Sequence, residues 1–211
     1  MNAPQQMLMA RSPPVGVVVT WSPTFKSPDI ALSGGNLTAT ATSSSNAAGR
    51  ADAAVTSALK KYWEILIVVD VNTSVGPGLG NVSAAFITDE WLGVFATTIG
   101  YYSDGNVYHN WNVVGAPIAT YAGYAAGNRI CIAVDEANTK VWFRVNAGNW
   151  NNSGADNPAT NTGGLNYSGL IGSGDIYPAY NVQGNGIDGQ VTANFGATAF
   201  THTPPAGFTG F

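Results

Sequence analysis

Residues 129–146 read RICIAVDEANTKVWFRVN, two runs of strand-forming residues separated by a short polar stretch. The first run is almost wholly apolar, and the second alternates polar or basic residues with valine and phenylalanine, as a half-buried β-strand does. The stretch between them, Glu136–Thr139, suits a tight turn, with Asn138 as its turn former. The segment therefore predicts an antiparallel hairpin. One face of its second strand would carry Lys140, Trp142 and Arg144, and the other Val141, Phe143 and Val145.

The same strand pattern recurs along the chain, and each run is bounded by glycine, proline, asparagine, aspartate or serine. Further strands are predicted at Val15–Trp21, Leu37–Thr42, Lys61–Val71, Val82–Ile87, Trp91–Thr97, Val107–Trp111, Ile176–Val182 and Val191–Phe195. Helical periodicity is weak, and its best stretch, Ala51–Leu59, places only Val55 and Leu59 on one face. This spacing of short strands favours an all-β sandwich or barrel.

The composition restricts the class of protein. The chain has 211 residues, a length that suits a single all-β domain. Charged residues make up 9%, against about 25% in ordinary soluble domains, while 45% of the residues are hydrophobic and can form a core. The net charge of −4 and the eight scattered cations argue against a nucleic-acid surface. We expect an N-terminal arm at residues 1–14 and one domain at residues 15–211.

The sequence also bears on compartment and cofactors. Cys131 is the only cysteine and lies in an apolar run, so we expect a buried thiol rather than a reactive one. The N-terminus lacks the basic start and apolar stretch of a signal peptide, and the longest apolar run, Ile65–Val69, is too short to span a membrane. We therefore expect synthesis in the cytoplasm, no membrane insertion and no cofactor. Release by cell lysis, as part of a virus particle, stays open.

Four blocks in order resemble the SPRY family and together cover about residues 20–211. They are Tyr62–Glu64 opening a long strand, Gly127–Asn146 followed by Gly148, Ile176–Tyr180, and Val191–Gly196 followed by Pro204–Phe208. The resemblance implies a concanavalin-like antiparallel β-sandwich (jelly roll) of two curved sheets. It also implies a binding module with its ligand on loops at one edge, rather than an enzyme.

The glycine- and asparagine-rich composition is similar to that of SPRY-like proteins encoded by bacteria and their phages. One departure from the family is the loop Asn146–Gly169, which exceeds the usual short turn, so we carry over no family ligand or binding residue. Loops of this length are usually functional or mobile. At the C-terminus, Phe208 and Phe211 are expected to cover an exposed edge or an end of the core.

Catalytic patterns are weak. A glycoside hydrolase needs two carboxylates at a set separation, and the glutamates are Glu64, Glu90 and Glu136. Glu136 falls in the hairpin turn, Glu90 follows Asp89 on what would be the opposite face, and Glu64 suits a buried, paired structural role. The histidines, His109 and His202, are isolated, and a zinc site is not indicated. Calcium could be held by Asn151, Asn152, Asp156 and Asn161, but their spacing matches no EF-hand and favours a solvated loop.

Two aromatic and amide-rich clusters are the candidate ligand-binding residues. The first comprises Tyr101, Asp104, Tyr108 and Trp111, and the second Asn149, Trp150, Asn151 and Asn152. Aromatic rings can cover the apolar faces of sugars while amides bind hydroxyls, and the same mixture suits a protein interface. The alternative is that the aromatic residues belong to the core and the asparagines form turns.

These observations favour a non-enzymatic recognition module that binds a protein or cell-surface ligand through its loops. The composition suits a phage-type, virion-associated protein such as a head or tail decoration. Its expected partners are a protein or a cell-surface glycan, on a virus particle, without nucleic acid. A lectin-like carbohydrate-binding protein is the first alternative, followed by a glycoside hydrolase and a purely structural capsid protein.

Overall fold

A computed structural model describes residues 18–56, 59–71, 74–86, 90–172, 174–184 and 188–211. They form two seven-stranded sheets in which all strand pairs are antiparallel. This confirms the predicted all-β sandwich. In the described part of the chain, no helix is long and apolar enough to cross a bilayer. The predicted N-terminal arm, residues 1–14, lies outside the described residues.

The strands follow one another in the order β1 Trp21–Lys26, β2 Ile30–Ser33, β3 Thr38–Ala41, β4 Asn46–Ala51, β5 Lys60–Val69, β6 Gly76–Asn81, β7 Thr98–Tyr101, β8 Asn106–His109, β9 Ala119–Thr120, β10 Arg129–Asp135, β11 Lys140–Val145, β12 Leu165–Asn166, β13 Ile176–Gln183 and β14 Gln190–Asn194. Sheet I has the order β1-β4-β13-β6-β7-β8-β9, and sheet II the order β12-β11-β10-β5-β14-β3-β2. A single helical turn, α1, covers Trp111–Val114, and 3-10 turns cover Glu136–Asn138, Trp150–Asn152 and Pro158–Thr160.

The main core lies between the two sheets. Sheet II contributes Trp63 and Ile65 from β5 and Phe143 from β11, all fully buried. From sheet I, Trp21 packs against Tyr180 with ring centroids 4.4 Å apart. The alternation predicted for the hairpin at residues 129–146 is confirmed, because Asp135 pairs with Lys140 and every second residue points inward.

The outer face of sheet II carries a second apolar cluster, formed by Tyr62, Cys131, Ala133, Trp142, Trp150 and Phe208. Thr209 bridges Lys61 beside this cluster, while Phe211 packs against the Trp63 ring at the margin of the main core. Phe211 thus covers an end of the core, as expected, whereas Phe208 belongs to the cluster on the outer face of sheet II. Burial raises the pKa of the Cys131 thiol, which fits the interpretation of this residue as structural.

A covering segment, comprising residues 84–86 and 90–97, lies across the outer face of sheet I. Its Ala84, Phe86 and Leu92 pack on two alanines of the sheet, Ala48 and Ala179. The sheet offers small residues there because the segment approaches closely. A Cβ at Gly78 would lie 2.0 Å from the Ile99 carbonyl oxygen and 2.7 Å from Leu92 Cδ1.

Several predicted elements were wrong. Residues 82–86 and 90–97 are turns and irregular chain rather than strands, because their apolar residues pack on sheet I from outside without joining its ladder; residues 87–89 lie outside the described part. Ala51–Leu59, where helical periodicity is weak and no helix was predicted, is not helical in its described residues: β4 ends at Ala51 and Val55 bridges Ile176, while residues 57–58 are outside the described part. The first described strand starts at Trp21, and the predicted residues 15–17 before it are not described. β8 ends at His109, and Trp111 opens α1.

Candidate ligand-binding site

The structure separates the first predicted cluster into core and surface residues. Tyr101, at the end of β7, is 1% exposed, packs on Tyr124 and Phe143, and donates its hydroxyl to the Ala122 carbonyl. Tyr108 follows the core residue Val107 on β8, so its ring emerges on the outer face of sheet I. Tyr101 therefore belongs to the core and is left out of the site.

A surface pocket of about 260 Å³ lies on this outer face. It extends from the β7–β8 hairpin to the first residue of β4 and includes three of the four residues of the first cluster. Its lining is Asn46, Ser74, Trp91, Tyr102, Asp104, Tyr108 and Trp111. Four of its seven lining residues are aromatic, and one is acidic. Sequence reasoning missed Asn46, Ser74, Trp91 and Tyr102.

The four rings form one connected aromatic group. Trp91 is at its centre, with ring centroids 5.7 Å from Tyr102, 5.4 Å from Tyr108 and 6.0 Å from Trp111. Tyr108 also contacts Tyr102 at 5.7 Å and Trp111 at 5.2 Å. The planes cross at 58° to 88°, the edge-to-face arrangement that aromatic pairs favour. Such rings hold one another in place and form walls that face in different directions.

The close approach of the covering segment to β8 positions these rings. Gly93 has a φ of 90°, and a Cβ there would lie 2.5 Å from the Tyr108 carbonyl oxygen, so this position requires glycine. The backbone N–H of Trp111 donates to the Gly93 carbonyl, and the Tyr102 hydroxyl donates to the Leu92 carbonyl at 3.0 Å. Asn110, in the left-handed conformation, follows β8 and turns the chain into α1. These hydrogen bonds join the covering segment, directly after Trp91, to Tyr102 and Trp111.

Asp104 stands at the exposed tip of the β7–β8 hairpin. Its carboxylate accepts hydrogen bonds from the Asn106 backbone N–H at 2.9 Å, the Asn106 amide at 2.8 Å and the Tyr108 hydroxyl at 3.3 Å. The ion pairs in the described part of the chain join Lys60 to Asp135 and Arg129 to Glu64, so neither includes Asp104. Partial burial, followed by the charge of Asp104, raises the pKa of Tyr108. The pocket is therefore aromatic with a negative rim.

The second predicted cluster lies beside β11 of sheet II, away from the sheet that carries the pocket. Trp150 and Asn151 are each 9% exposed, whereas Asn149 and Asn152 are exposed. The Arg144 guanidinium lies 4.4 Å from the centre of the Trp150 ring. Asn151 accepts a hydrogen bond from the Phe143 N–H at 3.0 Å and donates to Asp156 at 2.8 Å. Trp150 and Asn151 therefore anchor the loop to the sheet.

The loop Asn146–Gly169 is ordered by further bonds of this kind. The Trp142 indole donates to the Thr162 carbonyl at 2.9 Å, and the Lys140 ammonium donates to the Asn161 carbonyl at 3.0 Å. Asp156, the only carboxylate considered for calcium, accepts from the Asn151 amide and the Gly164 N–H. Among the described residues, no group of three or more His, Cys, Asp or Glu side chains is placed to hold a metal ion.

Two of the glutamates considered for hydrolysis fix loops. Glu64 is fully buried and accepts hydrogen bonds from the Tyr62 hydroxyl and from the backbone N–H groups of Thr201 and His202. The nearest cationic atom, Nε of Arg129, is 3.6 Å away. Glu136 accepts from the Tyr167 hydroxyl and the Gly174 N–H. Neither glutamate lines the pocket, and the structural interpretation of Glu64 agrees with its partners.

Comparisons with known proteins bear on the fold. No protein-family model and no curated protein matches this chain. The SPRY domain of human HERC1 superposes with a TM-score of 0.61 at 17% identity, covering 82% of this chain and 96% of that domain. A human SPRY domain gives 0.57 at 16% identity, covering 81% and 98% of the two chains. The TRIM65 PSpry domain gives 0.54 at 12% identity, covering 83% and 89%.

These similarities cover most of this chain and nearly all of each of the three domains. The chain therefore has a SPRY-like fold, and the fold implied by the four sequence blocks is confirmed. At these identities the likeness concerns the fold alone.

Proposed function

We propose that this domain is a non-catalytic recognition module that binds a protein partner through the aromatic pocket on sheet I. The observation that carries the proposal is the pocket itself: four packed rings, of which Tyr102 is buried and the other three are partly exposed, with an exposed carboxylate beside them. Tyrosine and tryptophan are typical anchors of protein interfaces. A volume of about 260 Å³ is below that of drug-sized sites and suits one or two inserted side chains.

The resemblance to SPRY domains supports the same class of function, because it implies a binding module rather than an enzyme. The burial of Glu64 and Glu136 supports it as well, since both oxygens of each carboxylate accept hydrogen bonds from structural groups. For the biological setting we keep a phage-type virion protein made in the cytoplasm. The low charge content and many amides support that setting, and neighbouring capsid or tail genes would test it.

A lectin-like function is the second candidate, because Asn46 and Asp104 offer hydrogen-bonding groups beside the rings. The ring geometry favours a protein partner over a sugar. Trp91, Tyr108 and Trp111 meet at 58° to 88°, so they form the walls of a recess rather than the flat platform on which a sugar face stacks.

Selection of displayed peptides against the wild-type domain tests the proposal, with a glycan array in parallel. Selected peptides should bind at least about tenfold more weakly to Trp111→Ala, because truncating an interface anchor costs this much or more. The matched control is Phe25→Ala, which removes another exposed ring of sheet I outside the pocket lining. Binding of glycans without peptides would favour the lectin. Peptide binding that Trp111→Ala leaves unchanged would contradict the proposed site.

A further inference from the structure

We propose that the pocket selects an alkylammonium group, presented by a lysine or methylated lysine side chain of the partner. The inference rests on the proposed function and specifies the chemistry that the same site recognises. Three features support it: the ring cluster, the charge at its rim, and the positions of the chain's own cations.

The ring cluster provides the first argument. The face of an aromatic ring is electronegative, and a cation within about 6 Å of the ring centre is attracted to it, most strongly for tryptophan. Trp91, Tyr102, Tyr108 and Trp111 all line one pocket, and each lies within 6.0 Å of at least two of the others. The rings pack on one another and line one recess, so a cation seated in that recess would lie against more than one of them. Recognition of quaternary ammonium groups uses aromatic cages of this type.

The rim provides the second argument. Asp104 is the charged residue of the lining, and the other residues besides the rings, Asn46 and Ser74, are neutral. Bonds from Asn106 and Tyr108 orient its carboxylate at the mouth of the pocket. A negative charge there attracts an ammonium group and disfavours an anion. An uncharged apolar group would gain nothing from this charge.

The chain's own cations provide the third argument. Arg50 lies between the rings of Phe25 at 4.0 Å and Tyr177 at 3.5 Å, and Arg144 covers Trp150. Three lysine ammonium groups also lie within 6 Å of a ring centre: Lys60 near Phe208, Lys61 near Phe211 and Lys140 near Trp142. None of the cation–ring contacts in the described part of the chain involves a ring of the pocket. The pocket rings are thus not covered by an internal cation.

Methylated ammonium is the favoured form because it loses little hydration on entering an apolar recess, whereas the cage retains its attraction for the charge. The pocket volume of about 260 Å³ suits such a head group with part of its alkyl stem. We therefore expect affinity to rise with the degree of lysine methylation.

Choline and its uncharged isostere, in which carbon replaces the quaternary nitrogen, are the first probes. Each is titrated into the full chain, and the indole N–H signals are followed by NMR. Choline should bind at least about tenfold more tightly than the isostere, since the two share shape and differ in charge. Trp111→Leu, which keeps apolar bulk, should reduce this preference, and Trp111→Phe should restore part of it.

The rim is tested with Asp104→Asn, which should weaken choline binding about threefold or more. Asp175→Asn, the same change at an exposed carboxylate outside the lining, should leave it unchanged. In peptides selected against the wild type, lysine should occupy the position that depends on Trp111. Trimethylation of that lysine should strengthen binding, and norleucine in its place should abolish it.

Equal binding of choline and the isostere would overturn the inference. Selected peptides that require Trp111 but carry no lysine would also overturn it, while leaving the proposed recognition function intact. If no peptide binds through the pocket and choline shows no preference, both proposals fail.

Discussion

At the scale of single residues, Glu64 shows how one buried carboxylate joins distant segments. It accepts three hydrogen bonds, from Tyr62, Thr201 and His202, and has Arg129 beside it. Glu64→Gln should lower the free energy of unfolding by about 3 kcal/mol, because the amide sets a donor against backbone donors and removes the charge facing Arg129. Urea denaturation measures the loss. Glu90→Gln, at a partly exposed position, should change stability by less than about 0.5 kcal/mol; equal losses would contradict the anchoring role.

Asp135 should make stability depend on pH. Burial alone would raise the pKa of its carboxyl, but hydrogen bonds from Asn138 and Lys60 outweigh burial and lower the pKa below its usual value. A pKa that is lower in the folded state stabilises the protein above the unfolded value, about 3.9. That contribution is lost as pH falls through the folded pKa. The stability difference between wild type and Asp135→Asn, measured in urea, should therefore shrink below about pH 4. A difference constant across this range would count against the paired carboxylate.

At the scale of elements, β6 shows where sequence reasoning fails. Its sequence, GPGLGN, lacks strand formers, and glycine and proline are depleted in strands. Glycines are needed here because a Cβ at Gly76 or Gly78 would lie within 2.1 Å of a β7 carbonyl oxygen, and a Cβ at Gly78 or Gly80 would also meet side chains of the covering segment. Gly78→Ala should therefore destabilise the fold by about 2 kcal/mol through overpacking. Gly169→Ala, where no atom lies within 4 Å, should have little effect on the urea midpoint. A tolerated alanine at position 78 would show that β7 and the covering segment do not approach β6 as closely as described.

The long loop provides a prediction that separates structure from recognition. Asn151→Ala should cost about 2 kcal/mol, because the buried Phe143 N–H loses its acceptor, while peptide binding by the folded variant stays unchanged. Asn152→Ala is the matched control, since both asparagines have a left-handed backbone, with φ of 49° and 56°, but Asn152 is exposed. Thermal unfolding and peptide titration of both variants check this. Weaker peptide binding by stable Asn152→Ala would instead place recognition on the loop.

The elements that sequence reasoning located are those with period-two alternation and buried β-branched residues. β10 spans Arg129–Asp135 as predicted, and β11 and β13 differ from their predictions by one residue. Trp91–Thr97 misled because apolar side chains packed on the outside of a sheet look like those of a strand. Tyr101 and Tyr108 could not be assigned to core or surface, because the pattern around residues 101–111 does not reveal which face is buried.

At the scale of the whole molecule, the order of the four sequence blocks was enough to predict the fold, but it did not predict which residues line the pocket. The pocket joins Asn46 at the start of β4, Trp91 in the covering segment and Tyr108 on β8. These positions are far apart in sequence, and β4 and β8 are separated in sheet I by β13, β6 and β7. The folded chain nevertheless places all three in the lining of one pocket, and the short-range sequence pattern carries no information about this arrangement.

Recognition is proposed to occur at the pocket on sheet I. The six tryptophans allow one direct measurement, because Trp91 and Trp111 line the pocket while Trp21, Trp63, Trp142 and Trp150 are buried elsewhere. Titration of the domain with a lysine-bearing selected peptide, followed through assigned indole N–H signals, should shift Trp91 and Trp111 and leave the other four in place. A shift confined to Trp150, with Trp91 and Trp111 unmoved, would contradict the account and place recognition on the long loop.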